Sequence, residues 1–110
     1  MAFKNLRDYL AHLQDRDLLH VVEDEISKDT ELVPLVRLQF RGLAEAQRKA
    51  FWFKNVTDAR GRAFDASVVL GSLGSSKEIY AAALGVDADD IGAKWASTHG
   101  KPLNPVEVAR

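Results

Sequence analysis

The chain has 110 residues, of which 46% are hydrophobic and 28% are charged, and its formal net charge is -1. This length is that of one ordinary domain, which can bury enough surface to fold without disulfides or metal ions. The balance of 15 basic and 16 acidic residues lacks the positive excess that nucleic-acid binding requires. The sequence contains no cysteine, which excludes disulfides, thiolate metal sites and cysteine nucleophiles.

The N-terminal residues show no pattern of a signal peptide or membrane anchor. An amphipathic pattern follows Met1 directly, and charged side chains interrupt its apolar positions. No run in the sequence approaches the ~20 apolar residues of a transmembrane helix. We therefore expect a cytoplasmic protein that has neither a membrane nor a nucleic acid as its partner.

Hydrophobic periodicity and turn residues predict an α/β (α+β) domain, a small mixed sheet flanked by about four helices. The order is α-β-α-β-β-α-α-β, which is not that of a βαβ nucleotide-binding fold. The two strands in the middle of the chain are expected to form a hairpin through a turn at Gly61. The predicted elements are a helix over 5–15, a strand over 18–26, a helix over 31–46, strands over 50–56 and 63–70, helices over 75–85 and 87–100, and an extended exit segment over 101–110.

Capping residues support the boundaries of three of these helices. Asn5 is a favourable N-cap for the first helix, and Pro34 falls in the first turn of the second, where a missing N–H costs least. Ser75 and Glu78 stand in the S-x-x-E spacing of a capping box. Gly85 is expected to end that third helix in the left-handed conformation.

The fourth helix has a pair of candidate N-caps, Asp87 and Asp90, and is expected to stop at Gly100. It carries Trp95, which we expect in the core. The two prolines of "KPLNPVEV" then exclude a helix over the exit segment.

The stretch "VLGSLGSSKEIYAAALG" raises the question of a phosphate-binding loop. A P-loop requires G-x-x-x-x-G-K-[ST], whereas Gly71 and Gly74 are only three residues apart and Glu78 stands where the magnesium-binding hydroxyl would be. The dinucleotide fingerprint G-x-G-x-x-G is also missing. We therefore interpret the glycines as a chain turn and Ser75 as a helix cap. An anion at this helix N-terminus stays possible in principle, with nothing in the sequence that favours it.

The histidines and carboxylates do not form a recognisable site. His12, predicted on the solvent side of the first helix, His20, on a strand, and His99, at a helix end, have no partners at metal-ligand spacing. The acidic run Glu23–Glu25 is interpreted as a solvated strand edge. The sequence thus assigns no catalytic, cofactor-binding or metal-binding residue.

The aromatic segment "AFWFKNV" has the alternation of a strand with two different faces. Trp52 is sent to the face opposite Phe51 and Phe53. We expect one of these faces to pack in the core, and the other face is a candidate partner surface.

Five segments in order resemble the UbiD family of prenylated-FMN-dependent carboxy-lyases. They are "FKNLRDYLAHLQDRDLLHVVEDEI", "TELVPLVRLQF", "AFWFKNVTDARG", "VVLGSLGSSKEIYAAALG" and "KPLNPVEV". The third is similar to an apolar family strand with an [FL]-x-N-V step. The fourth is similar to the family pattern G-x-L-x-x-[ST]-x-x-x-I-x-x-x-[LM]-G, and the last to the proline-bearing exit toward the flavin domain.

The resemblance implies part of an enzyme that reversibly decarboxylates aromatic or α,β-unsaturated acids. It implies prenylated FMN, Mn²⁺ and K⁺ for the complete enzyme, whose catalytic Glu–Arg–Glu group and cofactor ligands come from a later domain. No position of this chain matches those residues, so none is assigned here and no cofactor is expected to bind this chain alone. Residues 1–100 would form the N-terminal domain, and 101–110 would lead toward a flavin-binding domain or a larger partner subunit in an oligomeric assembly.

Family members are several times longer than this chain. It is therefore a piece of such an enzyme, a natural small subunit, or a stand-alone relative. The alternative to a scaffolding part of the enzyme is a non-catalytic interaction or assembly module that retains the same fold. Neither the acid that serves as substrate nor the direction of the reaction follows from the sequence.

Overall fold

The computed structural model describes residues 3–109 and confirms an α+β domain. Its elements alternate between helices and very short strands along the chain. The four helices are α1 (Leu6–Asp15), α2 (Leu32–Gly42), α3 (Lys77–Leu84) and α4 (Ile91–His99). The six strands are β1 (Leu19–Val22), β2 (Ile26–Ser27), β3 (Ala50–Phe53), β4 (Val56–Thr57), β5 (Ala63–Phe64) and β6 (Val68–Leu70). Two 3₁₀ turns cover Glu45–Gln47 and Ala88–Asp90.

The strands form two three-stranded mixed sheets. In the first sheet β1 runs parallel to β3, and β6 pairs with the other side of β3 in the antiparallel direction. In the second sheet β2 is parallel to β4, which pairs with β5 antiparallel. The antiparallel pairing expected for the two middle strands is therefore present in both sheets, as β3 with β6 and as β4 with β5. Gly61, in the loop between β4 and β5, has a positive φ of 81°.

Each of the three long strands predicted from the sequence is divided in two. The break after β1 contains the acidic run Glu23–Glu25, which is an exposed bend rather than the expected strand edge. The other two breaks fall at Lys54–Asn55 and at Asp65–Ser67. Charged and polar side chains at these positions favour solvent, so the chain leaves one sheet and enters the other.

Helix α1 follows its sequence pattern. The Asn5 side chain accepts a hydrogen bond from the Asp8 backbone N–H at 3.0 Å, which confirms the N-cap, and the helix ends at Asp15 as predicted. Asp17 then adopts a positive φ of 56°, which a glycine would adopt with less strain. Its carboxylate forms an ion pair with Lys49 at 2.8 Å, and this hydrogen bond lowers the pKa of Asp17.

Strand β3 divides the apolar side chains into two cores. Ala50 and Trp52 point toward the cluster formed with α1 and α3, whereas Phe51 and Phe53 point toward the cluster formed with α2. The predicted opposition of Trp52 to the two phenylalanines is confirmed. Its face is not an open partner surface, however, because α1 and α3 pack on that side. The half-buried Trp52 donates its indole N–H to the Ser67 hydroxyl at 2.8 Å.

Helix α2 is shorter than the predicted 31–46. It ends at Gly42, after which Leu43 is extended and residues 45–47 form a separate 3₁₀ turn. Pro34 lies in the first turn, as expected from its missing N–H. Only Leu32, Val36 and Gln39 of this helix are buried, at the i, i+4, i+7 spacing of a narrow seam.

The capping box predicted for α3 is wrong by one residue. Ser76, not Ser75, is the N-cap, and its hydroxyl accepts from the Ile79 backbone N–H at 3.2 Å. Ser75 is instead buried beneath the turn. The C-terminus confirms the expectation, since Gly85 caps α3 with φ 70° and ψ 33°.

The fourth helix departs further from expectation. Asp87 and Asp90 stand at N-cap positions, but neither carboxylate accepts a capping hydrogen bond within residues 3–109. Trp95, expected in the core, is 46% exposed and donates to the Tyr80 hydroxyl at 2.9 Å. Helix α4 packs on α3 without burying a residue of its own.

The exit segment follows Gly100, where α4 ends as predicted. Residues 101–109 form no helix and no strand, so the final predicted strand is absent from the described chain. Leu103, Val106 and Val108 are all highly exposed. The segment thus presents apolar side chains that the rest of the domain does not cover.

Replacing Ser76 by alanine should lower the free energy of unfolding by about 1 kcal/mol, the usual cost of a lost N-cap. Urea unfolding followed by circular dichroism measures this change. Ser72→Ala is the matched control, because the hydrogen bond at Ser72 uses its carbonyl oxygen, which alanine keeps. Equal midpoints for both variants would show that Ser76 does not cap α3.

Candidate functional site

The Gly71–Lys77 turn connects β6 to α3 and was the strongest candidate site in the sequence. Gly71 has a φ of 73°, and a Cβ atom placed on it would collide with the Ser75 hydroxyl. Gly74 has open space around its Cα atom. The first glycine is therefore required by the close approach of Ser75, which is a structural role.

The Gln39 side chain holds this turn from below. Its amide group donates to the Lys49 carbonyl oxygen at 3.0 Å and to the Ser75 hydroxyl at 3.2 Å. Its amide oxygen accepts from the Lys49 backbone N–H at 2.9 Å. One buried side chain of α2 thereby joins the residue before β3 to the turn before α3. Ser75, only 1% exposed, contributes to packing and not to a solvent-facing site.

The N-terminus of α3 already interacts with a carboxylate of the protein. Glu45 accepts from the Lys77 backbone N–H at 2.9 Å, and the Ser76 hydroxyl accepts from that of Ile79, two residues further on. Negative charge is favourable at a helix N-terminus, and Glu45 supplies it here. An open cavity of about 630 Å³ lies beside this end, with Arg48 and Lys77 among its lining residues. The contacts favour a chain turn over a phosphate cradle.

The side chain of Tyr9, on α1, contacts the same turn and the start of α3. Its hydroxyl lies 2.6 Å from the Ser72 carbonyl oxygen and 3.0 Å from that of Ile79, so its proton is donated to this pair. Burial raises the pKa of Tyr9 to about 12, and the nearby Arg16 guanidinium opposes that shift. The group is therefore a neutral hydrogen-bond donor at physiological pH.

The three histidines lie apart, each in its own surroundings. His12 is half-buried on α1, with its ring 5.2 Å from that of Phe3, rather than on the solvent side. His20 is exposed on β1, and His99 is at the end of α4 as predicted. Within residues 3–109, no group of three or more His, Asp or Glu side chains is placed to hold a metal ion. No helix in that range is long and apolar enough to cross a bilayer.

Sequence reasoning missed the contacts that organise this region. The one available signal was Gln39, a polar residue in the otherwise apolar seam that begins at Leu32 and Val36. A long polar side chain at such a position is buried only when it has hydrogen-bond partners. Neither Glu45 nor Tyr9 had a comparable signal, because their partners lie more than 30 residues away.

The chain is similar to known proteins in sequence and in fold. Residues 10–98 match the family described as 3-octaprenyl-4-hydroxybenzoate carboxy-lyase N-terminal domain, UbiD_N. The chain belongs to the UbiD N-terminal domain family. This confirms the resemblance found in the sequence, although the whole exit segment, 101–110, lies beyond the matched range. No curated protein matches the sequence.

A solved decarboxylase has a similar fold. The chain is similar to vanillic acid decarboxylase from Sedimentibacter hydroxybenzoicus, solved in an open form, with a TM-score of 0.64 and 20% identity. The similarity covers 88% of this chain but 19% of that chain. This UbiD domain therefore spans about a fifth of the length of that relative.

The residues described here do not fit the cofactor that the family implies. A flavin phosphate needs free donors and the metal needs a cluster of carboxylates or histidines. In this UbiD domain Glu45 and Ser76 accept hydrogen bonds from two of the backbone amides at the start of α3, those of Lys77 and Ile79, and residues 3–109 contain no metal-ligand cluster.

Replacing Gln39 by leucine should lower the free energy of unfolding by about 2 kcal/mol. The change leaves the Lys49 backbone groups and the Ser75 hydroxyl without their partner in a region with little access to water. Gln47→Leu, at an exposed position, is the matched control and should change it by less than about 0.5 kcal/mol. Urea unfolding of both variants tests this, and an unchanged midpoint for Gln39→Leu would contradict it.

Tyr9 should make stability depend on pH in the alkaline range. Its pKa in the folded state, about 12, lies above the ordinary value of 10.0. The folded protein thus holds this proton more tightly, and the resulting stabilisation is complete below pH 10 and lost as the pH rises through 12.

Unfolding midpoints measured across this interval should fall less steeply for Tyr9→Phe than for the wild type. Tyr80→Phe is the control and should retain the slope of the wild type. Identical slopes for wild type and Tyr9→Phe would show that the hydroxyl ionises as easily in the folded protein as in the unfolded chain.

Proposed function

We propose that this chain is the N-terminal domain or a small subunit of a UbiD-type carboxy-lyase acting on aromatic or α,β-unsaturated carboxylic acids. The family match over residues 10–98 is the observation that carries the proposal. The similar structure, a vanillic acid decarboxylase, supports an aromatic acid as the substrate class. Because the chain spans only 19% of that relative, the catalytic region belongs to the remaining part of such an enzyme.

The role of this part is to build and support a scaffold. The polar groups at the Gly71–Lys77 turn are used to connect elements of the domain: Gln39 links α2 to Lys49 and Ser75, and Glu45 binds the start of α3. The Tyr9 hydroxyl fixes α1 to α3 in the same way. These contacts support a structural role for the turn. Prenylated FMN, Mn²⁺ and K⁺ would be bound by the flavin-binding region.

Residues 101–110 would lead from the domain, residues 1–100, toward that region. The exposed side chains of Leu103, Val106 and Val108 support this role, since apolar groups on an extended segment gain stability when another surface covers them. An extended segment with unpaired N–H and C=O groups can also add to the edge of a sheet. Contact with a larger chain should therefore order this segment.

The proposal is tested by reconstitution with a flavin-binding UbiD-family chain of the same organism. The two chains should co-purify as a complex that absorbs in the near ultraviolet and releases CO₂ from vanillate or another aromatic acid. Titration calorimetry of the 110-residue chain alone with FMN, prenylated FMN and ATP should give no binding. A low-micromolar Kd for any of these would contradict the scaffolding role.

The alternative is an assembly module that keeps the UbiD N-terminal fold. A complex whose rate of CO₂ release does not depend on this chain would favour that alternative. Failure of the two chains to associate at all would contradict both.

A further inference from the structure

The two faces of the first sheet are covered unequally. Helices α1 and α3 both contribute buried side chains to the face that carries Ala50 and Trp52. Among the described helices, only α2 contributes buried side chains to the opposite face. On that face the row formed by His20, Phe51 and Leu70 is exposed at the histidine and only half-buried at the other two. The layer that contains α2 is therefore incomplete.

Helix α2 is apolar well beyond the seam that faces the sheet. The exposed apolar side chains of the helix and its C-cap lie on both flanks of this seam, as their spacing at 100° per residue requires. Leu38 is the most exposed of them, at 61%. These side chains, which we call the α2 outer face, are Val33, Leu35, Leu38, Phe40 and Leu43. A surface helix whose outer face is in contact with solvent would carry polar residues at most of these positions.

The charge on this helix has one sign. Arg37 and Arg41 are its only charged residues, and no carboxylate occurs between Leu32 and Leu43. A groove of about 210 Å³ is lined by the two arginines together with Pro34 and Leu38. A partner that fits this groove has an apolar surface bordered by carboxylates.

The total exposed surface is large for a chain of this mass. A folded monomer of 12.2 kDa exposes about 6,100 Å², whereas this chain exposes 8242 Å². The exit segment contributes to the excess, and the α2 outer face lies on the same molecule as a second uncovered apolar area. A standard interface buries about 800 Å² on each partner, which the excess accommodates.

We propose that the α2 outer face packs against the flavin-binding region of the carboxy-lyase, and that carboxylates there pair with Arg37 and Arg41. This inference rests on the proposed function. A second copy of the chain is a poorer occupant, because a two-fold symmetric contact places the same patch on both sides. The arginines of one copy would then face those of the other, with no carboxylate from either α2.

The test compares two double variants with matched exposure and charge. Leu38→Asp with Arg41→Glu alters the α2 outer face, and Leu6→Asp with Arg7→Glu places the same changes on α1, where Leu6 is 54% exposed. Affinity for the purified flavin-binding chain is measured by titration calorimetry, and the mass of the 110-residue chain alone by light scattering. Arg41→Glu by itself, an exposed charge reversal, serves as a second variant that leaves the apolar packing intact.

The proposal predicts at least tenfold weaker binding for both α2 variants and wild-type affinity for the α1 variant. Wild-type binding by the α2 variants would overturn this inference and leave the proposed function standing. No binding by the wild-type chain would overturn the proposed function as well. A dimer of the chain alone that Leu38→Asp with Arg41→Glu dissociates would identify a second copy as the occupant and would contradict the proposal.

Discussion

The alternation of side chains along β3 is the constraint on which this domain depends. Of the four residues of β3, Ala50 and Trp52 point to one side of the sheet and Phe51 and Phe53 point to the other, and Phe53 is fully buried. A strand that is apolar on both faces must be covered on both faces. The chain therefore needs helices on the two sides of a very small sheet. Every later feature follows from how completely each side is covered.

The side covered by α1 and α3 is well supported. Tyr9 connects α1 to α3 through the Ile79 carbonyl oxygen and to the preceding turn through that of Ser72, and Leu10 and Leu13 belong to the core cluster on this side. On the other side α2 is fixed by two apolar residues of its helical seam and by the Gln39 side chain. Gln39 forms three hydrogen bonds with Lys49 and Ser75, so one polar residue determines where the helix lies.

This arrangement explains why the glycine–serine turn has no visible chemistry. Gly71 gives Ser75 room to approach, Ser75 accepts from Gln39, and Ser76 caps α3. The residues that resemble a phosphate-binding loop thus form contacts within the domain. These contacts are consistent with the proposal that this UbiD N-terminal domain is a scaffold and that the chemistry belongs to the remaining part of a carboxy-lyase.

Local signals in the sequence predicted local structure well. Asn5 capped α1 and Gly85 ended α3, because each interacts with backbone a few residues away. The sequence could not predict that Ser76 rather than Ser75 is the cap, because the Ser75 hydroxyl accepts a hydrogen bond from Gln39, 36 residues earlier in the chain. Trp95 was expected in the core because a large apolar residue favours burial, yet α4 has no second layer to pack against within the described residues.

The family was recognisable from the order of weak motifs, which the match over residues 10–98 confirms. The fold class followed from hydrophobic periodicity and turn residues, and the helices and mixed sheets of the structure confirm it. The breaks in the strands and the bounds of α2 could not be predicted from the sequence, because they depend on which sheet each two-residue segment joins. The α2 outer face was hidden for the same reason. In the sequence "LVPLVRLQF" is simply an apolar helix, and only the structure separates its buried seam from its exposed flanks.

Hydrogen exchange measured on the chain with and without the flavin-binding chain tests whether that chain completes the side of the sheet beneath α2. We expect the amides of α2 and of Val106–Val108 to become more protected in the complex, while those of α1, already covered, stay unchanged. Protection confined to α1 and α4, with α2 exchanging as in the free chain, would show that the sheet face beneath α2 is not the side completed by the rest of the enzyme.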